Sequence, residues 1–71
     1  MTNFTFYIEY PNGADKTERH NLQGIARAIR YAAILSRRAD CVTITADNCP
    51  TVRVEEGRAI CGSRSIPVYK I

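Results

Sequence analysis

Few side chains in this 71-residue sequence could perform catalysis or hold a metal ion. The candidates are one histidine, His20, and three cysteines, Cys41, Cys49 and Cys61. A thiolate beside an imidazole is a common nucleophile–base pair, and three thiolates with one imidazole are a zinc ligand set. The local sequence supports neither, because it has no C-x-x-C pair and no phosphate-loop, nucleophile-elbow or H-E-x-x-H motif. We therefore predict no catalytic residue, no metal site and no cofactor.

The cysteines are better explained as small hydrophobic residues. An odd number of cysteines fits no closed set of disulfides, and a reducing cytosol keeps such thiols free. The remaining alternative is that one thiol at an exposed strand end pairs with a second chain. No apolar run approaches the ~18 residues of a membrane span, and the N-terminus alternates like a strand rather than resembling a signal peptide. We expect a cytoplasmic protein without membrane contact.

The placement of arginine is the second chemical signal. The net charge of +3 comes from ten basic and seven acidic residues, and eight of the basic residues are arginine. No acidic residue occurs between Arg19 and Ala39. Guanidinium groups bind carboxylates and phosphates through two parallel hydrogen bonds. This segment is therefore the predicted positive pole of the molecule.

A hairpin is predicted ahead of that segment. Residues 3–10, NFTFYIEY, alternate between apolar and polar types as a half-buried strand does, and residues 11–13, Pro-Asn-Gly, favour a tight turn. A polar strand over about residues 15–20 completes the hairpin. Its polarity is typical of an edge strand, where Lys16 and Arg19 would oppose aggregation.

The arginine-rich segment itself is predicted to be a helix from Leu22 to about Arg38, with Asn21 as its N-cap. Its small and apolar residues form one stripe that faces the sheet: Leu22, Ile25, Ala26, Ile29, Ala32, Ala33 and Ser36. The residues predicted to point directly away from the sheet are Arg27, Tyr31, Ile34 and Arg38, with Arg30 and Leu35 beside them.

Three further strands are predicted after the helix, over Cys41–Ala46, Thr51–Glu55 and Arg58–Cys61. The tail, residues 65–71, is apolar enough to add a short edge strand, but Pro67 argues against a central position. The predicted fold class is α+β, with one domain over residues 1–71. One helix packs on an antiparallel sheet of four to five strands in the order β-β-α-β-β-β.

The outward helix face has the composition of a docking surface. Arginine and tyrosine are enriched where protein partners bind. The predicted partner-binding residues are Arg27, Arg30, Tyr31, Ile34 and Arg38, with Arg19 and Arg37 at the rim. Two alternatives stay open: an ordinary helix whose arginine stems cover stray apolar side chains, and a homodimer that buries Ile34 and Leu35. Nucleic acid is a further alternative partner, although the net charge is slight and the RNA-recognition signature is missing.

Size and pattern together give a family resemblance. An N-terminal hairpin (FTFYIEY-PNG), one helix (GIARAIRYAAILSRR) and a strand meander (CVTITADNCPTVRVEEGRAIC) resemble small phage-encoded inhibitors, including type I anti-CRISPR proteins of ββαββ form. The resemblance covers most of the chain but includes no diagnostic motif. It implies a non-enzymatic protein in the host cytosol that blocks a host nucleoprotein complex through protein contact. Because the chain is basic, DNA mimicry is not the expected mechanism.

Overall fold

The alternation of the first strand defines the two faces of the sheet. In the computed structural model, which describes residues 1–71, strand β1 spans Thr2–Glu9. Phe4, Phe6 and Ile8 are buried on one face, whereas the intervening side chains lie on the other. The turn after β1 is closed by a 3.0 Å hydrogen bond from the Gly13 backbone N–H to the Tyr10 carbonyl. Strand β2, Asp15–Leu22, then returns antiparallel to β1.

The remaining strands extend the sheet on the other side of β1. They are β3 (Cys41–Thr45), β4 (Val52–Glu55), β5 (Arg58–Cys61) and β6 (Arg64–Pro67). Every neighbouring pair is antiparallel, and the spatial order is β2-β1-β3-β4-β5-β6. A short 3₁₀ turn, Val68–Lys70, follows the last strand. The sheet therefore has two free edges, β2 and β6.

One helix covers one face of this sheet. Helix α1, Ile25–Leu35, packs mainly over β3 and β4. Its buried residues are Ala28, Ile29 and Ala32, and the two alanines let the helix approach the sheet closely. They join the inward side chains of β1, β3, β4 and β5 in one hydrophobic cluster. The opposite face of the sheet carries no helix. The structure contains no helix with the length and apolarity needed to cross a bilayer.

The α+β class is confirmed, but the strand count is not. The sheet has six strands rather than four to five, because Arg64–Pro67 forms an additional edge strand. Pro67 ends that strand, where its missing N–H costs no central ladder bond. The observed order of elements is the predicted β-β-α-β-β-β with this one strand added at its end.

The boundary between hairpin and helix also differs from the prediction. Strand β2 continues to Leu22, and the Asn21 side chain donates to the Asn3 side-chain oxygen at 2.6 Å across the hairpin. Asn21 therefore belongs to the strand and is not the N-cap. Gly24 occupies the cap position with φ 90° and ψ 162°, and the helix ends at Leu35 rather than near Arg38.

Gly24→Ala should destabilise the fold by about 1–3 kcal/mol, because a backbone with that φ and ψ is accessible almost only to glycine. A Cβ at this position would meet no atom within 4 Å, so a steric clash would not contribute. Urea unfolding of the variant measures the loss. Gln23→Ala, at the exposed neighbouring position, is the matched control and should stay within about 0.5 kcal/mol of the parent. Equal stability of the two variants would contradict this account of the helix start.

Candidate interaction surface

The outer surface of the helix carries arginines without acidic neighbours. Arg27, Arg30 and Ile34 are exposed on α1, and the side chain of Ile34 is 57% exposed. Arg37 and Arg38 follow in a turn, where their backbone N–H groups donate to the carbonyls of Ile34 and Leu35. We call these five residues the arginine surface.

Most of the cations on the arginine surface have no partner within the chain. The three ion pairs of the structure involve Lys16, His20 and Arg53, and none involves Arg27, Arg37 or Arg38. The carboxylates lie on the strands and loops, the nearest along the chain being Asp40. The helix therefore presents positive charge that nothing inside the molecule neutralises.

Arg30 differs from the others because it has an internal role. Its guanidinium donates from Nη2 to the carbonyl oxygen of Ile71 at 2.6 Å. This bond ties the segment after β6 to the helix, and Ile71 packs against the hydrophobic cluster. Arg30 is thus partly engaged, whereas Arg27 on the preceding turn of the helix is free.

The orientation predicted for Tyr31 is wrong. Tyr31 is half-buried, and its ring packs edge-on against Phe6 with ring centroids 5.2 Å apart. Its hydroxyl donates to Oε1 of Glu18 on β2 at 2.9 Å. Tyr31 therefore belongs to the sheet side of the helix and does not form an outward anchor with Ile34.

A rotation of the helix about its axis explains this error. At about 100° per residue, the mean direction of the buried residues Ala28, Ile29 and Ala32 lies roughly 50° from the centre of the predicted stripe. The rotation turns Tyr31 and Leu35 towards the core, and both side chains pack against it. Burying a tyrosine ring and a leucine removes more apolar surface from water than burying Ala26 and Ala33 would. Leu35 is half-buried against the core, whereas Ile34 is exposed, so a dimer contact through both side chains stays a prediction.

Arg19 is exposed, but it lies on the opposite face of the sheet. Arg19 pairs with Thr5 of β1. Its neighbours Glu18 and His20 face the helix, where they contact Tyr31, and side chains alternate along a strand, so Arg19 faces the other way. The geometry therefore separates Arg19 from the arginine surface, at whose rim it was predicted to lie.

Sequence reasoning missed a polar network under the helix. Glu18 accepts hydrogen bonds at Oε1 from Tyr31 (2.9 Å) and from His20 Nε2 (2.8 Å), and Oε2 lies 3.2 Å from Nζ of Lys16. The rings of His20 and Tyr31 contact each other at a centroid distance of 4.7 Å. We call Lys16, Glu18, His20 and Tyr31 the Glu18 network. It joins the edge strand to the helix.

The pKa shifts in the Glu18 network favour a structural role, in which the network connects β2 to the helix, over a role in proton transfer. Hydrogen bonds from His20, Tyr31 and Lys16 lower the pKa of Glu18 to about 2. Burial and the bond to the Glu18 carboxylate raise the pKa of Tyr31 above its ordinary value. A general base or acid works best with a pKa near the operating pH, and both shifts move away from neutrality.

The cysteines and the histidine do not converge. Cys41 is buried next to Glu9 on the face of the sheet that carries no helix, whereas Cys61 is half-buried on β5. All three thiols are free, and the structure contains no group of three His, Cys, Asp or Glu side chains that could hold a metal ion.

Comparison of the sequence with protein-family models, with curated proteins and with solved structures gives no match. The interpretation of the arginine surface therefore depends on its own geometry and charge.

The Glu18 network should make stability fall in acid. The folded-state pKa of Glu18 lies below its ordinary 4.5, so the stabilisation is fully present above about pH 4.5 and is lost as the pH falls towards 2. Glu18→Gln should lower the free energy of unfolding at pH 7 by about 1–2 kcal/mol and flatten its dependence on pH in that window. Urea unfolding at a series of pH values measures both effects.

Asp47→Asn is the control for Glu18→Gln, because Asp47 is exposed and its carboxylate makes no hydrogen bond or ion pair. It should change neither the stability at pH 7 nor the acid dependence. A Glu18→Gln variant that behaves like Asp47→Asn would show that the network does not stabilise the fold.

Proposed function

We propose that this chain is a non-enzymatic binding protein that docks through the arginine surface onto an acidic patch of a larger protein complex. The observation that carries the proposal is Ile34, which is 57% exposed between arginines that have no carboxylate partner. Fully burying such a side chain against a partner contributes about 1.5–3 kcal/mol. Unpaired guanidinium groups around it add directional bonds to carboxylates.

The central isoleucine favours protein over nucleic acid as the partner. A phosphate backbone binds cations and makes no favourable contact with a large aliphatic group at the centre of the interface. Protein interfaces combine an apolar centre with a polar rim, and arginine is enriched in them. A net charge of +3 is also modest for a nucleic-acid-binding domain. Contact with nucleic acid through the same arginines is the alternative that the experiment below separates.

The resemblance to small phage-encoded inhibitors supports a more specific form of the proposal. In that form the partner is a host nucleoprotein complex in the cytoplasm, and binding blocks it, as in anti-CRISPR inhibition. A thin α+β domain suits this role, because its single helix offers one rigid surface and needs no pocket for a substrate.

Substitutions on the arginine surface should weaken partner binding and leave folding intact. Arg27→Glu and Ile34→Ala should each weaken capture of the partner complex by about tenfold or more, because central apolar and arginine contacts carry most interface energy. Thermal midpoints should stay close to the parent value, since both side chains are exposed. Quantitative pull-down from a bacterial host, with the captured complex identified by mass spectrometry, measures the effect.

Arg64→Glu is the matched control, because it makes the same charge change at an exposed residue of edge strand β6, outside the arginine surface. It should capture the complex as the parent does. The alternative, contact with nucleic acid through the same arginines, is tested by measuring binding to random-sequence DNA at several salt concentrations. Tight, salt-sensitive DNA binding that Arg27→Glu removes and Ile34→Ala leaves intact would overturn the protein-contact proposal.

A further inference from the structure

The free edge of β2 is unusually long, and neither a proline nor a covering element interrupts it. It has eight residues and no proline, whereas the other edge strand, β6, has four residues and ends in Pro67. The helix packs mainly over β3 and β4, so it leaves the outer side of β2 uncovered. Such an edge offers a row of backbone N–H and C=O groups to another strand.

The pairing with β1 shows which of these groups are free. The Tyr10 N–H donates to the Ala14 carbonyl at 3.1 Å, and hydrogen-bonded pairs alternate along an antiparallel ladder. Lys16, Glu18 and His20 therefore direct their backbone groups towards β1. The residues whose backbone groups point to the free edge are Asp15, Thr17, Arg19 and Asn21. The Asp40 N–H bond to the Glu9 carbonyl fits this alternation, because Glu9 pairs with Asp15 and faces β3.

The side chains of this edge form a palindrome of opposite charges. The sequence Asp15-Lys16-Thr17-Glu18-Arg19 has signs that invert when it is reversed about Thr17. If two copies pair antiparallel with Thr17 opposite Thr17, each Asp15 lies opposite Arg19 of the other copy. Each Lys16 then lies opposite Glu18 of the other copy. Opposite charges at directly facing positions stabilise a strand pair.

The neighbouring registers are worse by the same criterion. The backbone alternation allows shifts of two residues only. One such shift places Glu18 opposite Glu18, and the other places Lys16 opposite Lys16, so each sets like charges face to face. The charge pattern thus selects one register. An edge that only prevented aggregation would serve better with a single sign of charge, which repels every second copy.

We propose that β2 is a dimerisation edge that pairs antiparallel with β2 of a second copy of this chain, centred on Thr17. Facing residues of the pair lie on the same side of the joined sheet, so the two-fold axis is perpendicular to the sheet. The helices of both copies then lie on the same side, and the two arginine surfaces point in one direction. The dimer itself does not depend on the function proposed above, but it would make that surface bivalent.

Two charge variants and their mixture test the proposal. Arg19→Asp makes positions 15 and 19 both acidic, and Asp15→Arg makes them both basic. Each variant alone should dimerise at least about tenfold more weakly than the parent, because its facing charges repel. An equimolar mixture should form heterodimers, since every facing pair is complementary again. Sedimentation equilibrium and native mass spectrometry at high protein concentration measure the two results.

A backbone variant tests the strand pairing independently of charge. Thr17→Pro removes an N–H that points to the free edge and no bond to β1, so the monomer should keep its circular dichroism spectrum and lose the dimer. Thr17→Ala is the control and should dimerise like the parent. A monomeric parent at the highest concentration would overturn the proposal. Charge variants that dimerise as well alone as in the mixture would also overturn it.

Discussion

The register of the N-terminal hairpin determines most of the remaining structure. The three-residue turn after Tyr10 places Glu18 opposite Phe6, on the face of the sheet that receives the helix. Glu18 then binds Tyr31, and the ring of Tyr31 packs against Phe6. This contact fixes the rotation of the helix about its axis. A change of one residue in the register would send Glu18 to the other face and leave the tyrosine hydroxyl without this partner.

The rotation of the helix decides which side chains are left for a partner. Because Tyr31 and Leu35 are used inside the fold, the exposed surface keeps Ile34 with arginines that have no acidic neighbours. Docking energy at this surface must then come from one aliphatic side chain and several guanidinium groups. An aromatic anchor is not available. Such a surface gives selectivity for acidic partners, since burying unpaired arginines against an apolar or basic surface is costly.

The sequence was sufficient to predict elements in which apolar residues recur with a regular period. It was insufficient where polar side chains determine the boundary or the orientation of an element. Alternation predicted β1, and glycine and proline predicted the turns that separate the later strands. Asn21 misled the helix assignment, because an asparagine suits both an N-cap and a strand partner of Asn3. The helix rotation was missed since alanines give a weak apolar stripe on either side. The Glu18 network could have been found by counting across the Pro-Asn-Gly turn, which places Glu18 beside Phe6.

The distribution of charge separates two kinds of contact in one small domain. On the sheet, three of the four strand carboxylates are matched: Glu18 lies in its network, Asp15 accepts from Tyr7 at 2.6 Å and Glu55 pairs with Arg53 at 3.0 Å. The β2 edge is therefore close to neutral and complementary to itself. The helix has cations only, so two copies of it repel each other. The proposed second copy would occupy the edge of the sheet and the proposed acidic partner the helix, so the two contacts would not compete.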